Sequence, residues 1–186
     1  VKGTLPMIDE VPVIAMVGTR KCTAYALSCA ESMGNEIANG GGIIISGLAD
    51  GVDQAALRGA LKAGKPTIGV LGCGHDVMYP KSAVGMRRDI EAKGAVISEY
   101  PPGVAAFPYN FPVRNRIISG MSVGVAVIEA PLKSGALITA RTATEQNRDI
   151  FAHPGTVEDA INAGNYALLR DGAKPVKSGA DILKEY

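Results

Sequence analysis

Residues 110–120, which read NFPVRNRIISG, place two arginines close together at the predicted start of a helix. Arg114 and Arg116 follow a proline-rich segment and precede an apolar run that is compatible with a helix. The first turn of a helix has unpaired N–H groups and a dipole that favours anions, so both arginines are candidate phosphate ligands. Asn115, between them, could face bases or backbone. The alternative is that one arginine is buried beneath the site and bonds carbonyl groups of residues 101–110.

Further basic or glycine-containing turns follow other apolar runs of the chain. Glycine at such a turn lets a phosphate or a base approach the backbone closely. A basic side chain beside it would neutralise the charge of that ligand, although a solvated loop charge is the alternative for each turn. The candidate residues of these turns are Gly18, Thr19, Arg20, Ser46, Gly47, Lys133, Ser134 and Gly135.

Short, β-branched apolar runs alternate with longer amphipathic stretches along the 186 residues. Such runs are typical of strands buried on both faces of a parallel sheet. Strands are predicted at 13–17, 43–46, 67–71, 95–98, 123–129 and 149–152, and helices at 23–38, 52–63, 82–92, 114–121, 135–146 and 158–170. The predicted fold is α/β: a single domain over residues 1–186 with an extended Rossmann-like, doubly wound, mostly parallel sheet and helices on both faces. Ligands of such sheets bind at the carboxyl ends of the strands, where the candidate turns lie.

Composition and motifs exclude several classes of function. The net charge of +1 argues against a polycationic nucleic-acid binder, so anion binding would depend on local clusters of charge. Three cysteines and two histidines without ligand-like spacing predict neither a metal site nor a disulfide framework. The absence of G-x-G-x-x-G and of a P-loop predicts no nucleotide cofactor. Without a long apolar run or an export signal, the chain is predicted to be cytoplasmic and not bound to membranes.

Acidic and aromatic residues near the candidate turns leave two questions open. Glu129, like Glu99 and Glu145, lacks a histidine, serine or second carboxylate at a fixed spacing, which favours a structural role and a protein that is not an enzyme. Three aromatic residues precede or accompany the arginines, and aromatic rings beside cations can stack bases. They are Phe107, Tyr109 and Phe111. The alternative is that these rings anchor the loop.

Seven sequence blocks resemble, in order, those of the DNA-processing protein A (DprA/Smf) family. They are VGTR at 17–20, SGLADGVD at 46–53, GCGHDVMYP at 72–80, SEYPPG at 98–103, FPVRNRIISG at 111–120, KSGALITA at 133–140 and GNYALLRDGA at 164–173. The resemblance runs from near residue 1 to about residue 183. It departs from the family pattern at Leu57, His75 and His153, where histidine, an apolar residue and valine are usual.

The resemblance implies a Rossmann-like domain that binds single-stranded DNA and presents it to RecA recombinase in natural transformation and homologous recombination. It implies that Arg20 and Lys133 contact DNA, and it extends this role to Arg114 and Arg116. It also implies a homodimer, for which the apolar residues 166–169 and 182–183 give weaker support. Family members often have an N-terminal helical domain and a C-terminal winged-helix-like domain, so the chain is predicted to be a fragment.

The second hypothesis is an enzyme of related fold. Nucleoside-monophosphate phosphoribohydrolases have a Pro-Gly-Gly-x-Gly-Thr turn at the corresponding strand end. Here residues 132–139 read LKSGALIT, with a lysine in place of the glycine pair and bulkier residues after it. This difference favours a polyanion over a buried ribose phosphate.

Overall fold

A single sheet organises the chain in the computed structural model, which describes residues 1–156 and 159–186. The strands are β1 (Lys2–Gly3), β2 (Val13–Val17), β3 (Ile43–Ser46), β4 (Thr67–Val70), β5 (Ala95–Ile97), β6 (Gly124–Val127), β7 (Asp149–Ala152) and β8 (Lys174–Pro175). Their order across the sheet is β1-β5-β4-β3-β2-β6-β7-β8. All neighbours among the described strands are parallel except β1, which pairs with β5 in the antiparallel direction.

Helices cover both faces of this sheet, as predicted. They are α1 (Ala24–Asn39), α2 (Val52–Lys62), α3 (Val84–Lys93), α4 (Asn110–Gly120), α5 (Gly135–Glu145), α6 (Ala163–Arg170) and α7 (Gly179–Leu183). Alternate residues of β2 separate two buried clusters: Ile14 and Met16 pack with α1, α2 and α3, whereas Ala15 and Val17 pack with α4 and α5. The predicted Rossmann-like α/β class is therefore confirmed. No helix in the described residues is long and apolar enough to span a membrane.

The chain reverses its direction across the sheet at β2. From β2 it proceeds through β3, β4 and β5 on one side, and then returns to place β6 and β7 on the other side. The crevice beyond the carboxyl ends of β2 and β6 is therefore the topological switch point at which open α/β sheets bind ligands. Residues 18–20 follow β2, and residues 133–135 follow β6 and lead into the start of α5, so the fold brings two of the predicted basic turns to this crevice.

Helix α4 differs from its prediction in a way that matters for the arginines. It begins at Asn110 instead of residue 114, because Pro112 occupies the first turn, where a backbone N–H has no partner within the helix. Arg114 and Arg116 therefore lie beyond the first turn, and the prediction that they stand at the mouth of the helix is wrong.

The remaining differences concern short elements and boundaries. The two-residue strands β1 and β8 and the five-residue helix α7 have too few residues to produce a periodic pattern, and the sequence did not predict them. The predicted helix 158–170 corresponds to a 3-10 turn at Ala160–Asn162 followed by α6. Its first predicted residue, Glu158, lies outside the described residues.

Candidate functional site

A cavity of about 730 Å³ opens at the switch point. Its wall is formed by the turn after β2, the turn before α5, part of α4 and residues of the loop that precedes α4. A volume of this size is typical of a small-molecule site and has room for one or a few nucleotides. The predicted site residues that line it are Gly18, Thr19, Arg20, Arg114, Asn115, Lys133, Ser134 and Gly135.

Three cations at the cavity have no counter-ion in the part of the chain that the structure describes. Arg20, Lys21 and Lys133 are exposed, and none of them forms an ion pair with another described residue. The Arg20 guanidinium lies 5.4 Å from the centre of the Phe111 ring, a geometry that allows a cation–π interaction. Lys21 was not among the predicted site residues, although its position next to Arg20 was a visible signal.

Glycines allow the turns of the cavity wall to pack against one another. Gly51 has a φ of 82°, and a Cβ atom there would lie 2.5 Å from the carbonyl oxygen of Thr19. A Cβ atom at Gly18 would lie 2.9 Å from the carbonyl oxygen of Glu129. By contrast, a Cβ atom at Gly135 would meet nothing within 4 Å, so this glycine borders open space.

Arg114 is a buried arginine beneath the cavity, with 4% of its surface exposed. Its Nη1 donates to the carbonyl oxygens of Val70 and, at 2.8 Å, of Gly47, and its Nε donates to Asn115 Oδ1 at 3.3 Å. The alternative in which one of the two arginines is buried is therefore the observed one. Its carbonyl partners, however, belong to the ends of β3 and β4 and not to residues 101–110, because α4 starts earlier than predicted and its second turn faces the sheet.

Asp53 is the buried carboxylate that accompanies Arg114. Its Oδ2 accepts a hydrogen bond from the backbone N–H of Gly47 at 3.1 Å. Burial raises the pKa of Asp53 to about 6, and the positive charge of Arg114 acts in the opposite direction. Asp53 was not predicted as a site residue, because its position at the start of α2 indicates only a favourable interaction with the helix dipole.

The other predicted site residues are engaged elsewhere. The Ser46 hydroxyl is buried and donates to the carbonyl oxygen of Met16 at 2.6 Å. Gly47 packs directly against Arg114. A Cβ atom at position 47 would lie 2.7 Å from Arg114 Nη2 and would collide with the guanidinium. Arg116 is exposed and forms an ion pair with Glu99 instead of lining the cavity.

Ser134 and Glu129 organise the two helices that start near the cavity. The Ser134 hydroxyl caps α5 by accepting a hydrogen bond from the N–H of Ala136 at 3.2 Å. The Glu129 carboxylate is buried and accepts hydrogen bonds at 2.8 Å from both the N–H and the hydroxyl of Thr23, the N-cap residue of α1. These contacts give Glu129 the structural role that the sequence favoured.

The three departures from the family pattern have separate environments. Leu57 is fully buried in the core beside α1. His75 is half-buried, and its carbonyl oxygen accepts a hydrogen bond from Arg87. His153 is buried and its Nδ1 accepts from the N–H of Gly155 at 3.2 Å. Burial lowers the pKa of both histidines.

Comparison with known proteins finds a family and close relatives. Residues 1–186 match the family described as DNA recombination-mediator protein A. The DNA processing protein DprA of Streptococcus pneumoniae is 42% identical over 189 residues, which cover 100% of this chain and 65% of that protein. DprA of Bacillus subtilis is 39% identical over 184 residues, with 99% of this chain and 62% of that protein covered. The chain thus spans less than two thirds of the length of these relatives.

Solved structures agree with the sequence comparison. The crystal structure of the S. pneumoniae DprA matches with a TM-score of 0.94 over 100% of this chain and 65% of that one, at 42% identity. DNA processing protein A from Helicobacter pylori, a structure described as giving insight into its single-stranded DNA binding mode, matches with a TM-score of 0.90 at 29% identity, over 99% of this chain and 84% of that one.

Proposed function

The chain belongs to the DNA recombination-mediator protein A family, the family of the DprA and Smf proteins, and we propose that its cavity binds single-stranded DNA. The observation that carries the proposal is the convergence of Arg20, Lys21 and Lys133 on a glycine-bordered crevice beside the N-terminus of α5. Phosphate groups bind to such cations and to the N–H groups at a helix N-terminus. Neither kind of contact depends on which base the nucleotide carries. The single-stranded DNA binding described for the H. pylori protein supports the same assignment.

Buried Arg114 and Asp53 shape this site from below. Hydrogen bonds to Gly47, Val70 and Asn115 fix the Arg114 side chain. We therefore infer that Arg114 contributes positive electrostatic potential and a rigid part of the cavity wall, and does not move to bind a phosphate. Asn115 donates to the carbonyl oxygen of Gly135 at 3.5 Å and so joins α4 to the start of α5. Ser46 and Gly47 support this part of the wall through their own contacts. Arg116 lies on the outer surface, where it pairs with Glu99.

We expect the protein to bind an oligothymidine more tightly than a duplex of equal length, with little dependence on sequence. A cavity of about 730 Å³ accommodates unpaired nucleotides, whereas a base-paired helix would have to remain outside it. Fluorescence anisotropy with single- and double-stranded oligonucleotides over a salt series measures both affinities. Equal affinity for the two forms would refute the assignment.

The proposal extends to delivery of the bound strand to a recombinase of the RecA class and to a homodimer, both of which rest on membership of the family. Among the C-terminal apolar residues named above for a dimer, Ile182 is buried within the chain and Leu183 packs near Gly40. Tyr166 remains 51% exposed. We expect sedimentation at micromolar concentration to detect a particle of two chains. A monomer whose affinity does not increase with oligonucleotide length would contradict the dimer.

The enzymatic alternative is favoured by one observation on the described residues, which is that Asp53 borders the cavity and that burial raises its pKa to about 6. Its contacts with Gly47 and its proximity to Arg114 fit a structural pair equally well, and Glu129 is occupied by Thr23. Incubation with nucleoside monophosphates and detection of released base would identify a phosphoribohydrolase. We propose a binding protein and expect no release.

A further inference from the structure

Phe107 and Tyr109 form an exposed aromatic pair in the loop that precedes α4. Their rings are 5.3 Å apart between centroids and only 6° from parallel. They are 45% and 67% exposed, respectively, so large ring surfaces face solvent. Single exposed apolar residues are normal in proteins, but a stacked pair is different: each ring covers one face of the other, and the outer ring faces are surfaces of the kind on which nucleic-acid bases stack.

This pair lies at the rim of the cavity. The residues that alternate with it along the chain, Ala106 and Pro108, line the cavity wall. Consequently a DNA strand that leaves the cations of the cavity on this side would pass the exposed rings. Each ring is thus close to a basic site while remaining outside it.

Phe111, the third aromatic residue of this region, has a different environment. Its ring lies 5.5 Å from Tyr79, 5.4 Å from the Arg20 guanidinium and 5.8 Å from the Arg114 guanidinium. This ring lines the cavity and already has two guanidinium groups beside it, whereas Phe107 and Tyr109 stack on each other and are exposed outside the cavity lining. Phe111 therefore belongs to the cavity with Arg20, and Phe107 and Tyr109 form a separate aromatic surface at its rim.

Hydrogen bonds hold the loop in position without a ligand. The buried Asn110 donates from Nδ2 to the carbonyl oxygens of Gly72 at 2.9 Å and Ala105 at 3.2 Å. The Asp76 carboxylate accepts the N–H of Gly103, with distances of 2.8 and 2.9 Å to its two oxygens. Because the backbone is ordered in advance, binding a base here would not require the loop to be fixed first, and less conformational entropy would be lost.

We propose that Phe107 and Tyr109 are a stacking platform for an unpaired base next to the phosphates held by Arg20 and Lys133. The inference rests on the proposed DNA-binding function and adds a contact of another kind to it. The cations of the cavity recognise phosphate, whereas the platform recognises the flat face of a base. Stacking of this kind tolerates any base, in keeping with a site that does not read sequence.

The test compares an oligothymidine with an abasic oligonucleotide of the same length, which retains the phosphates but lacks the bases. We expect the double variant Phe107→Leu/Tyr109→Leu to bind the oligothymidine about tenfold more weakly than the original protein. This loss of affinity corresponds to the loss of one stacked base. Binding of the abasic strand should be unchanged. The slope of log affinity against log salt should also be unchanged, since no phosphate contact is lost. Met7→Ala, at an apolar residue that is 64% exposed before β2, is the matched control.

The outcomes separate this inference from the proposed function. If the original protein binds neither strand, the DNA-binding function itself fails. If it binds both strands and the double variant binds the oligothymidine as well as the original does, the function stands and the platform is refuted. The exposed pair would then be available to a protein partner. Thermal unfolding of both variants checks that the fold is intact, as expected for exposed side chains.

Discussion

Replacing Arg114 with methionine should lower the free energy of unfolding by about 3–5 kcal/mol, because it leaves a carboxylate buried without its counter-charge. Asp53 is only 6% exposed, and Arg114 is the cation beside it. The same change also leaves the carbonyl oxygens of Gly47 and Val70 without their donor. Urea unfolding followed by circular dichroism measures this loss.

The loss should depend on pH in a defined direction. The pKa of Asp53 is about 6 in the folded protein against an ordinary value of 3.8, and removing Arg114 should raise the folded value further. Between the unfolded and folded values, the folded state binds more protons, so stability falls as the pH rises through that window. We therefore expect Arg114→Met to be more destabilising at pH 8 than at pH 5.

Two further variants serve as controls for Arg114. Arg116→Met removes an arginine from the same helix, but its ion pair with Glu99 is exposed, and we expect a change within about 0.5 kcal/mol. Combining Arg114→Met with Asp53→Asn should recover part of the stability, since the buried charge is removed as well. Equal effects of Arg114→Met and Arg116→Met would contradict the buried pair.

Replacing both Arg20 and Lys133 with alanine should weaken binding of single-stranded DNA roughly 100-fold while leaving the stability unchanged. Both side chains are exposed and form no ion pair among the described residues, so the fold does not depend on them. If each neutralises one phosphate, each single substitution should reduce the slope of log affinity against log salt by about 0.7, and the double substitution by about 1.4.

Lys65→Ala provides the matched control for this charge change. Lys65 is exposed in the turn before β4, at the opposite edge of the sheet from the cavity, and its loss changes the net charge by the same amount as either single substitution. We expect its salt slope to equal that of the original protein. If Lys65→Ala reduced the slope as much as Arg20→Ala or Lys133→Ala does, Arg20 and Lys133 would act only through the overall charge.

Most of the fold follows from local patterns that the sequence contains. The six predicted strands correspond to β2 through β7, because apolar β-branched runs between glycine-rich turns specify parallel strands with little help from distant residues. The elements that were not predicted, β1, β8 and α7, have no periodic pattern of their own. They depend on a neighbouring strand or helix, as β1 does on β5.

The site was predicted less completely than the fold. Residues 18–20 and 133–135 could be predicted, because each turn follows a strand and such turns converge at one edge of the sheet. The platform residues Phe107 and Tyr109 could be singled out as aromatic rings near arginines, but their exposure could not. The sequence also offered no way to decide which of Arg114 and Arg116 would be buried.

The sequence alone therefore determined the family, the α/β class and the basic turns of the cavity, since each depends on residues close together in the chain. The tertiary structure decided the roles of the individual charges. Arg114 and Asp53 are 61 positions apart in the numbering, and only the packing of α4 against the ends of β3 and β4 brings both of them, buried, to Gly47. Arg116, two residues further along α4, points to a different side of the helix and reaches solvent. Burial and the distances between remote side chains set the energy of a charge, and neither quantity can be read from local sequence.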